Sequence, residues 1–217
     1  LRAISRRALR PKFFLTSQPR LRRLRRAELP AETVALARFL LGTILVRDEP
    51  RGRTVARIVE TEAYLPEVDA ASHAYRGPSK RNRSMFLRRG HAYVYFIYGT
   101  WHCLNVTSDG EGTGAAVLVR AAEPLEGIAR MQRRRKTAKL ADLARGPGRL
   151  AAAFGLDRRH DGLDLCSPRS ELWLATGAPP PDLGESIRIG LSSDAHRVLR
   201  FFERGSAFVS GTRHLNA

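Results

Sequence analysis

Glu60, Glu62 and Tyr64 stand at alternate positions near the end of a run rich in β-branched residues. Residues 54–64 read as a strand, and alternation puts all three on the side of Ala56 and Ile58. Unpaired buried glutamate is costly, so two carboxylates beside apolar neighbours mark either a working site or an exposed polar edge. A carboxylate in apolar surroundings can take a proton from water as a general base. Strand position alone leaves Glu60 and Glu62 equal candidates. Arg120 stands late in the apolar run 115–122, where a charge calls for a specific partner. His73 lies in a loop, 65–77, with Asp69 and Ser72, and a lone loop histidine is more often a donor than a catalyst. Tyrosine faces can hold a flat, electron-poor ring, with added cation–π attraction if the ring is charged.

The tyrosines sit on residues 91–108, a stretch of aromatic and β-branched residues broken by Gly99 and Thr100. That pattern predicts a β-hairpin. Alternation sets Tyr93, Tyr95 and Ile97 on one side of its first arm, and Val94, Phe96 and Tyr98 on the other. Tyr98 falls where the arm meets the turn. From Ala70 to Ser108 there is no Asp or Glu, while Arg76, Lys80, Arg81, Arg83, Arg88 and Arg89 fall in the same span. Aromatics in a purely basic segment point to stacking on bases beside phosphate contacts; the bland reading is a core strand pair with tyrosines at its rim.

The elements that must position these residues form one domain. The chain has 217 residues, 43% of them hydrophobic, enough for one sizeable core and no clear second one. A helical pattern follows Pro30, with Val34, Leu36, Ala37, Leu40 and Leu41, and closes at Gly42. A strand at 43–48 and a turn at 50–53 precede 54–64. Asn82 is placed to cap a short helix through Leu87, stopped by Gly90. The turn 109–114 is glycine-rich, but no Lys-Ser or Lys-Thr follows in register, so it is no phosphate-binding loop. After the strand 115–122, Pro124 opens a predicted helix to about Arg135. Gly146-Pro147-Gly148 opens another, with Pro147 at its start and Gly155 at its stop. Strands are predicted at 171–174, 186–192 and 198–203.

The formal charge is +17, and it is concentrated. Residues 1–26 carry nine Arg, one Lys and no acid, and residues 130–149 carry eight basic residues against Asp142 alone. The rest is balanced. Such blocks favour nucleic acid or an anionic membrane surface, against the alternative of an arginine-biased genome. Residues 1–27 read as a basic, disordered arm, which also has the look of an organellar transit peptide, and 28–217 as the folded domain. Cys103 and Cys166 match no zinc spacing and fit a reducing compartment. No apolar run approaches the ~20 residues needed to cross a membrane. The expected location is cytoplasmic, at the nucleoid, for a bacterial chain; organellar or nuclear targeting by the arm is the other option.

An aromatic at a hairpin tip can enter a base stack and replace an extruded nucleotide. With a carboxylate base and basic phosphate contacts, the features point to a base-flipping enzyme that hydrolyses an N-glycosidic bond. Longer motifs agree. Glu60-Thr61-Glu62-Ala63-Tyr64, Asp69-Ala70-Ala71-Ser72-His73, Arg81-Asn82-Arg83-Ser84-Met85-Phe86 and Tyr93-Val94-Tyr95-Phe96-Ile97-Tyr98-Gly99 resemble the alkyladenine (3-methyladenine) DNA glycosylase family. The resemblance continues through Asn105, through residues 117–127 and through Gly146-Pro147, and covers roughly residues 28–212. It implies an α/β mixed (α+β) single domain, built around an antiparallel β-sheet with a protruding, DNA-intercalating β-hairpin.

By that resemblance, Glu62 activates the water, with Arg120 and the Ile189 carbonyl helping to hold it. Tyr64 and Tyr95 sandwich the flipped base, His73 lies against its edge, and Asn105 crowds the 2-amino group of guanine. Tyr98 intercalates, and Arg81 and Arg83 are candidate contacts to the DNA backbone. The implied activity is monofunctional: water, not a lysine, attacks the sugar, and the lesion is an alkylated or deaminated purine such as 3-methyladenine, hypoxanthine or ethenoadenine. No acid is identified for neutral leaving bases. No metal or organic cofactor is called for; the expected partner is damaged double-stranded DNA, with no membrane, and the expected state a monomer. A non-catalytic nucleic-acid-binding module would not need Glu62, Arg120 and His73 together. A hydrolase of free nucleosides would not need Tyr98 at a hairpin tip.

Overall fold

The computed structural model describes residues 21–216. In chain order the elements are α1 (Thr33–Phe39), β1 (Ile44–Glu49), β2 (Gly52–Tyr64), β3 (Ala92–Ile97), β4 (Trp101–Thr107), β5 (Ala116–Glu126), α2 (Ile128–Arg135), α3 (Pro147–Phe154), β6 (Leu172–Ala175), β7 (Leu183–Ile187) and β8 (Val198–Glu203). All strand pairings are antiparallel, in the order β3-β4-β5-β2-β1-β6, with β8 also on β2 and β7 on β8. The expected mixed, single-domain fold around an antiparallel sheet is what forms.

Everything is arranged around β2. Its first half pairs with β1, its residues 60–62 pair with β8, and β5 runs along its other edge. Leu36, Ala37 and Leu40 of α1 and Leu150, Ala151 and Phe154 of α3 join Ala56, Ile58, Ala63, Val117 and Val119 in the main core. Thr61 donates its hydroxyl to the Ala37 carbonyl at 2.9 Å, so that side of the strand faces α1.

Strict alternation along β2 fails at one place. Ile58 pairs with Ala122 and Glu60 with Ala121, so Val59 is passed over; Thr61 then pairs with Val119, so Arg120 is passed over. Two bulges side by side reverse the parity of the residues beyond them. Ala56 and Ile58 turn to the main core, whereas Glu60 and Glu62 turn to the opposite side, where Val59 packs with Ala121, Phe202 and Val209. The expected grouping of Glu60, Glu62 and Tyr64 with Ala56 and Ile58 is corrected accordingly. The same irregularity aims Arg120 across at the glutamates.

Other elements differ from expectation for local reasons. The helix expected from Pro124 starts only after Gly127, whose φ of 76° ends the strand; Pro124 stays in β5, beside a register irregularity that tolerates a missing N–H. Asn82 makes no helix-capping bond. Its amide instead donates to the carbonyls of His73 and Gly77 and accepts from Ser79, folding the 73–82 loop on itself. The strand expected at 186–192 lies earlier, at β7. Residues 21–27 of the expected arm pack on the body: Leu24 is buried, Arg23 bridges to Ala175, and Arg26 pairs with Asp164 at 2.6 Å. The remainder of that arm, 1–20, lies outside the described residues.

β3 is an edge strand, yet most of its outer backbone groups are taken. Ala92 exchanges bonds with Leu163 and Gly162, the Val94 amide donates to Asp161 at 2.9 Å, and the carbonyls of Val94 and Phe96 accept from Arg158 at 2.8 Å and Arg81 at 3.3 Å.

Candidate active site

β3 and β4 form the hairpin, in register from Ala92↔Val106 to Ile97↔Trp101. Its inward residues, together with those of the loop before it, the end of β2, the middle of β5 and the start of α3, enclose a cavity of about 520 Å³. Tyr64, His73, Tyr95, Tyr98, Asn105 and Arg120 all line it, so six of the predicted site residues meet in one place. Arg81 and Arg83 do not line it. Both are exposed on the stretch that leads into the hairpin.

Tyr98 breaks its predicted parity. It holds a left-handed φ of 53°, which returns its side chain to the mouth lined by Tyr93, Tyr95 and Ile97, and it is 82% exposed. A bulky residue in that region is strained by roughly 1–2 kcal/mol relative to a residue that accepts it. Tyr98→Asn should therefore keep or raise the melting temperature, since asparagine tolerates this conformation. If the ring stacks in DNA, the same variant should lose ~1–3 kcal/mol of duplex binding, and less when the lesion is unpaired. Equal losses on paired and unpaired lesions would mean that the ring only packs at the rim.

The two carboxylates, both 0% exposed, are now distinguishable. Glu60 is saturated: Oε1 accepts from Arg120 and Arg200, and Oε2 from the Ser210 amide. Burial alone would raise its carboxyl, but the Arg120 and Arg200 charges outweigh that and hold it below the usual range. Glu62 is held by groups that themselves face the cavity. Its Oε1 accepts from the Ile189 amide at 2.8 Å and lies 3.1 Å from Arg120 Nη1, and its Oε2 accepts from the Tyr64 hydroxyl at 2.9 Å. Glu62 is one bond behind the wall made by Tyr64, Arg120 and Ile189, not on it. The Ile189 amide makes this bond to Glu62, a contact separate from the water-holding role expected of its carbonyl. Burial, with the Glu62 charge beside it, pushes the Tyr64 phenol well up, so it remains a donor to that carboxylate.

His73 reaches its place through the folded 73–82 loop. Nδ1 lies 2.9 Å from the Tyr93 hydroxyl, and its ring meets Tyr95 edge-on at 4.5 Å. Crowding by that wall, then the Arg81 charge, keeps its imidazole below the ordinary range and so neutral at pH 7. Asn105 is held by its cross-strand partner, its amide donating to the Tyr93 carbonyl at 3.1 Å.

Three features of the site were not read from the sequence. Arg188 and Asp69, both fully buried as side chains, form a two-pronged pair at 2.6 and 2.8 Å that ties the His73 loop to the Ile189 segment. Arg188 also sits 4.6 Å from the Tyr64 ring. Arg200 stands behind Glu60. Trp101 and Gly148 close one wall, where a Cβ on Gly148 would meet the indole at 3.1 Å, tight enough that the indole would have to shift by a few tenths of an ångström. The signal for the arginines was present: each is a charge in an apolar setting, Ile187-Arg188-Ile189 and Leu199-Arg200-Phe201, like Arg120. The 130–149 block divides in two. Arg130 and Arg134 pair with Glu49, while Arg145 and Arg149 line the cavity mouth.

A buried carboxylate paired with an arginine thus lies behind an aromatic-walled cavity, beside an exposed hairpin tip. Residues 27–207 match the methylpurine-DNA glycosylase (MPG) family, and the chain belongs to it. It is a DNA glycosylase, a DNA-repair hydrolase of N-glycosyl bonds. It is 57% identical over 191 residues to a protein of Mesorhizobium japonicum named "Putative 3-methyladenine DNA glycosylase", covering 88% of this chain and 91% of that one. Proteins of the same name from Paraburkholderia phytofirmans and Methanocella arvoryzae are 52% and 45% identical, covering 88% and 82% of this chain and 90% of each relative. Among the described residues no helix is long and apolar enough to cross a membrane.

Proposed function

We propose that this chain removes alkylated purines, 3-methyladenine foremost, and deaminated or etheno-adducted ones from duplex DNA by base flipping, leaving an abasic site. The supporting observation is Glu62, gripped by Arg120, the Ile189 amide and the Tyr64 hydroxyl immediately behind an aromatic cavity. The flipped base enters between Tyr64 and Tyr95, with His73 at its edge, while Tyr98 fills the gap in the stack. Arg81 and Arg83 hold the backbone. A water admitted beside Tyr64 and Arg120 attacks the anomeric carbon; its proton goes to Glu62, and the C–N bond breaks with its electron pair leaving on the base. Alkylation makes that base cationic, so it departs neutral. The Glu62 carboxylate also stabilises the oxocarbenium-like transition state. We read the active form as a monomer.

Incubation with duplex DNA containing 3-methyladenine or hypoxanthine should release free base and leave alkali-sensitive abasic sites. Binding without release would favour a non-catalytic module, and equal action on free nucleosides a nucleosidase. Asn105→Ser should raise release of unmodified guanine, because the wall that would meet its 2-amino group shrinks; contacts of this kind are worth ~1–3 kcal/mol of discrimination. Unchanged guanine release would mean Asn105 does not face the base.

A further inference from the structure

Glu60 has no part in the proposed reaction, yet it accepts four hydrogen bonds. It does not reach the cavity wall. On Oε1 it accepts from Arg120 Nε and Arg200 Nε, each at 2.8 Å, and from Ser210 Oγ at 2.9 Å; on Oε2 it accepts from the Ser210 amide at 2.6 Å. Charge-assisted bonds from several directions fix a carboxylate in place. Arg120 is thereby aimed: Nε is engaged on Glu60, and Nη1 is left for Glu62 at 3.1 Å. Arg200 is immobilised in turn, its outer nitrogens donating to the Ser186 hydroxyl, the carbonyls of Leu215 and Ser210, and Asn216 Oδ1. Two buried carboxylates and two buried guanidinium groups balance.

We infer that Glu60 is a positioning residue, which with Arg200 and Ser210 locks the Arg120 guanidinium onto Glu62 and sets the electrostatic balance around it. The inference rests on Glu62 being the base. The polar and charged groups around Glu62 are Glu60 and Tyr64 from β2, Arg120 from β5, Tyr95 and Cys103 from the hairpin, and Arg188 after β7, whose charge Asp69 matches. Glu60 and Arg200 lie behind Arg120, so changing either alters the field without touching the cavity.

The test is single-turnover excision of hypoxanthine from duplex DNA across pH, with the full chain, alongside lesion binding and melting temperature. A base acts only unprotonated, so activity falls on the acid side. Glu60→Gln removes a negative neighbour and should move that acid limb to lower pH by about 1 unit. Its neutral-pH rate should fall about tenfold with lesion binding kept, because a neutral amide holds Arg120 less firmly than the carboxylate does. Arg200→Gln removes a positive neighbour and should move the limb to higher pH. The double variant should return it to the wild-type position. A purely structural Glu60 would lower the melting temperature and leave the limb still in every variant, and that result overturns the inference. The two single variants are expected to shift in opposite senses, so either one that folds decides it. If Glu62→Gln keeps full activity, the base assignment fails first; if Glu62→Gln is inactive and the limbs stay still, only the positioning role fails.

Discussion

Glu62→Gln should abolish base release while leaving binding to lesion-containing duplex within a few-fold of wild type. The amide keeps the volume: with its oxygen in the Oε1 place it still accepts from the Ile189 N–H, a 2.8 Å bond in the wild type, while its NH2 donates to the Tyr64 hydroxyl oxygen in place of the 2.9 Å bond that Oε2 accepted. It cannot take a proton from water, and it places no negative charge against the sugar cation. General-base participation is worth roughly 10²–10⁴ in rate, and loss of the electrostatic contribution adds to that. The variant also leaves Arg120 with one carboxylate fewer, so its melting temperature should be measured beside it. Single-turnover excision is the deciding measurement: a rate within tenfold of wild type would remove Glu62 from the mechanism.

The second large effect concerns stability and has a pH sign. Asp69→Asn should lower stability by about 3–5 kcal/mol, because removing one partner of a buried pair leaves the Arg188 charge unmatched. Burial would raise the Asp69 carboxyl, but the bonds and charge of Arg188, with the amides of Leu65 and Ala71, outweigh it and hold it below the ordinary range. A depressed folded-state value means that stability is fully present above the ordinary aspartate range near pH 4 and is lost as pH falls through the folded-state value. Acid unfolding of the wild type should therefore steepen below about pH 4, and Asp69→Asn should flatten that part of the curve. Denaturant melts at pH 7 and pH 3 test both statements. A variant as stable as wild type at pH 7 would mean that the pair contributes nothing net. Since Asp69 ties the His73 loop to the Ile189 segment, excision should fall together with stability.

What could be read in advance depended on how local each signal was. The hairpin and α3 are punctuated by their own residues, Gly99 at one turn and Gly146-Pro147 and Gly155 at the ends of the helix, so both are found where the sequence puts them. The helix after β5 was misplaced because Pro124 is an opening signal only where the chain is free to turn, and pairing with β2 holds it extended to Glu126. The paired carboxylates were visible, but their facing was not. Parity is a rule for an unbroken ladder, and the bulges at Val59 and Arg120 come from the pairing of two strands 60 residues apart. The choice of Glu62 came from the family motif; the structure adds a physical difference, since Glu60 is spent on Arg120, Arg200 and Ser210 while Glu62 is bonded to the cavity wall. Arg188 and Arg200 escaped notice because their partners, Asp69 and Glu60, are more than 100 residues away.

The blocked edge of β3 bears on how this molecule fails. An exposed ladder of amides and carbonyls invites another chain to add a strand, and a hairpin rich in tyrosine and valine would be a strong template for fibrous growth. Here Asp161, Gly162 and Leu163, with Arg158 and Arg81, occupy that ladder. Self-association therefore has to wait until residues 158–163 peel from the strand, an opening that leaves the sheet itself intact. Local opening of this six-residue strap, rather than global unfolding, is the step that would offer the strand to another chain.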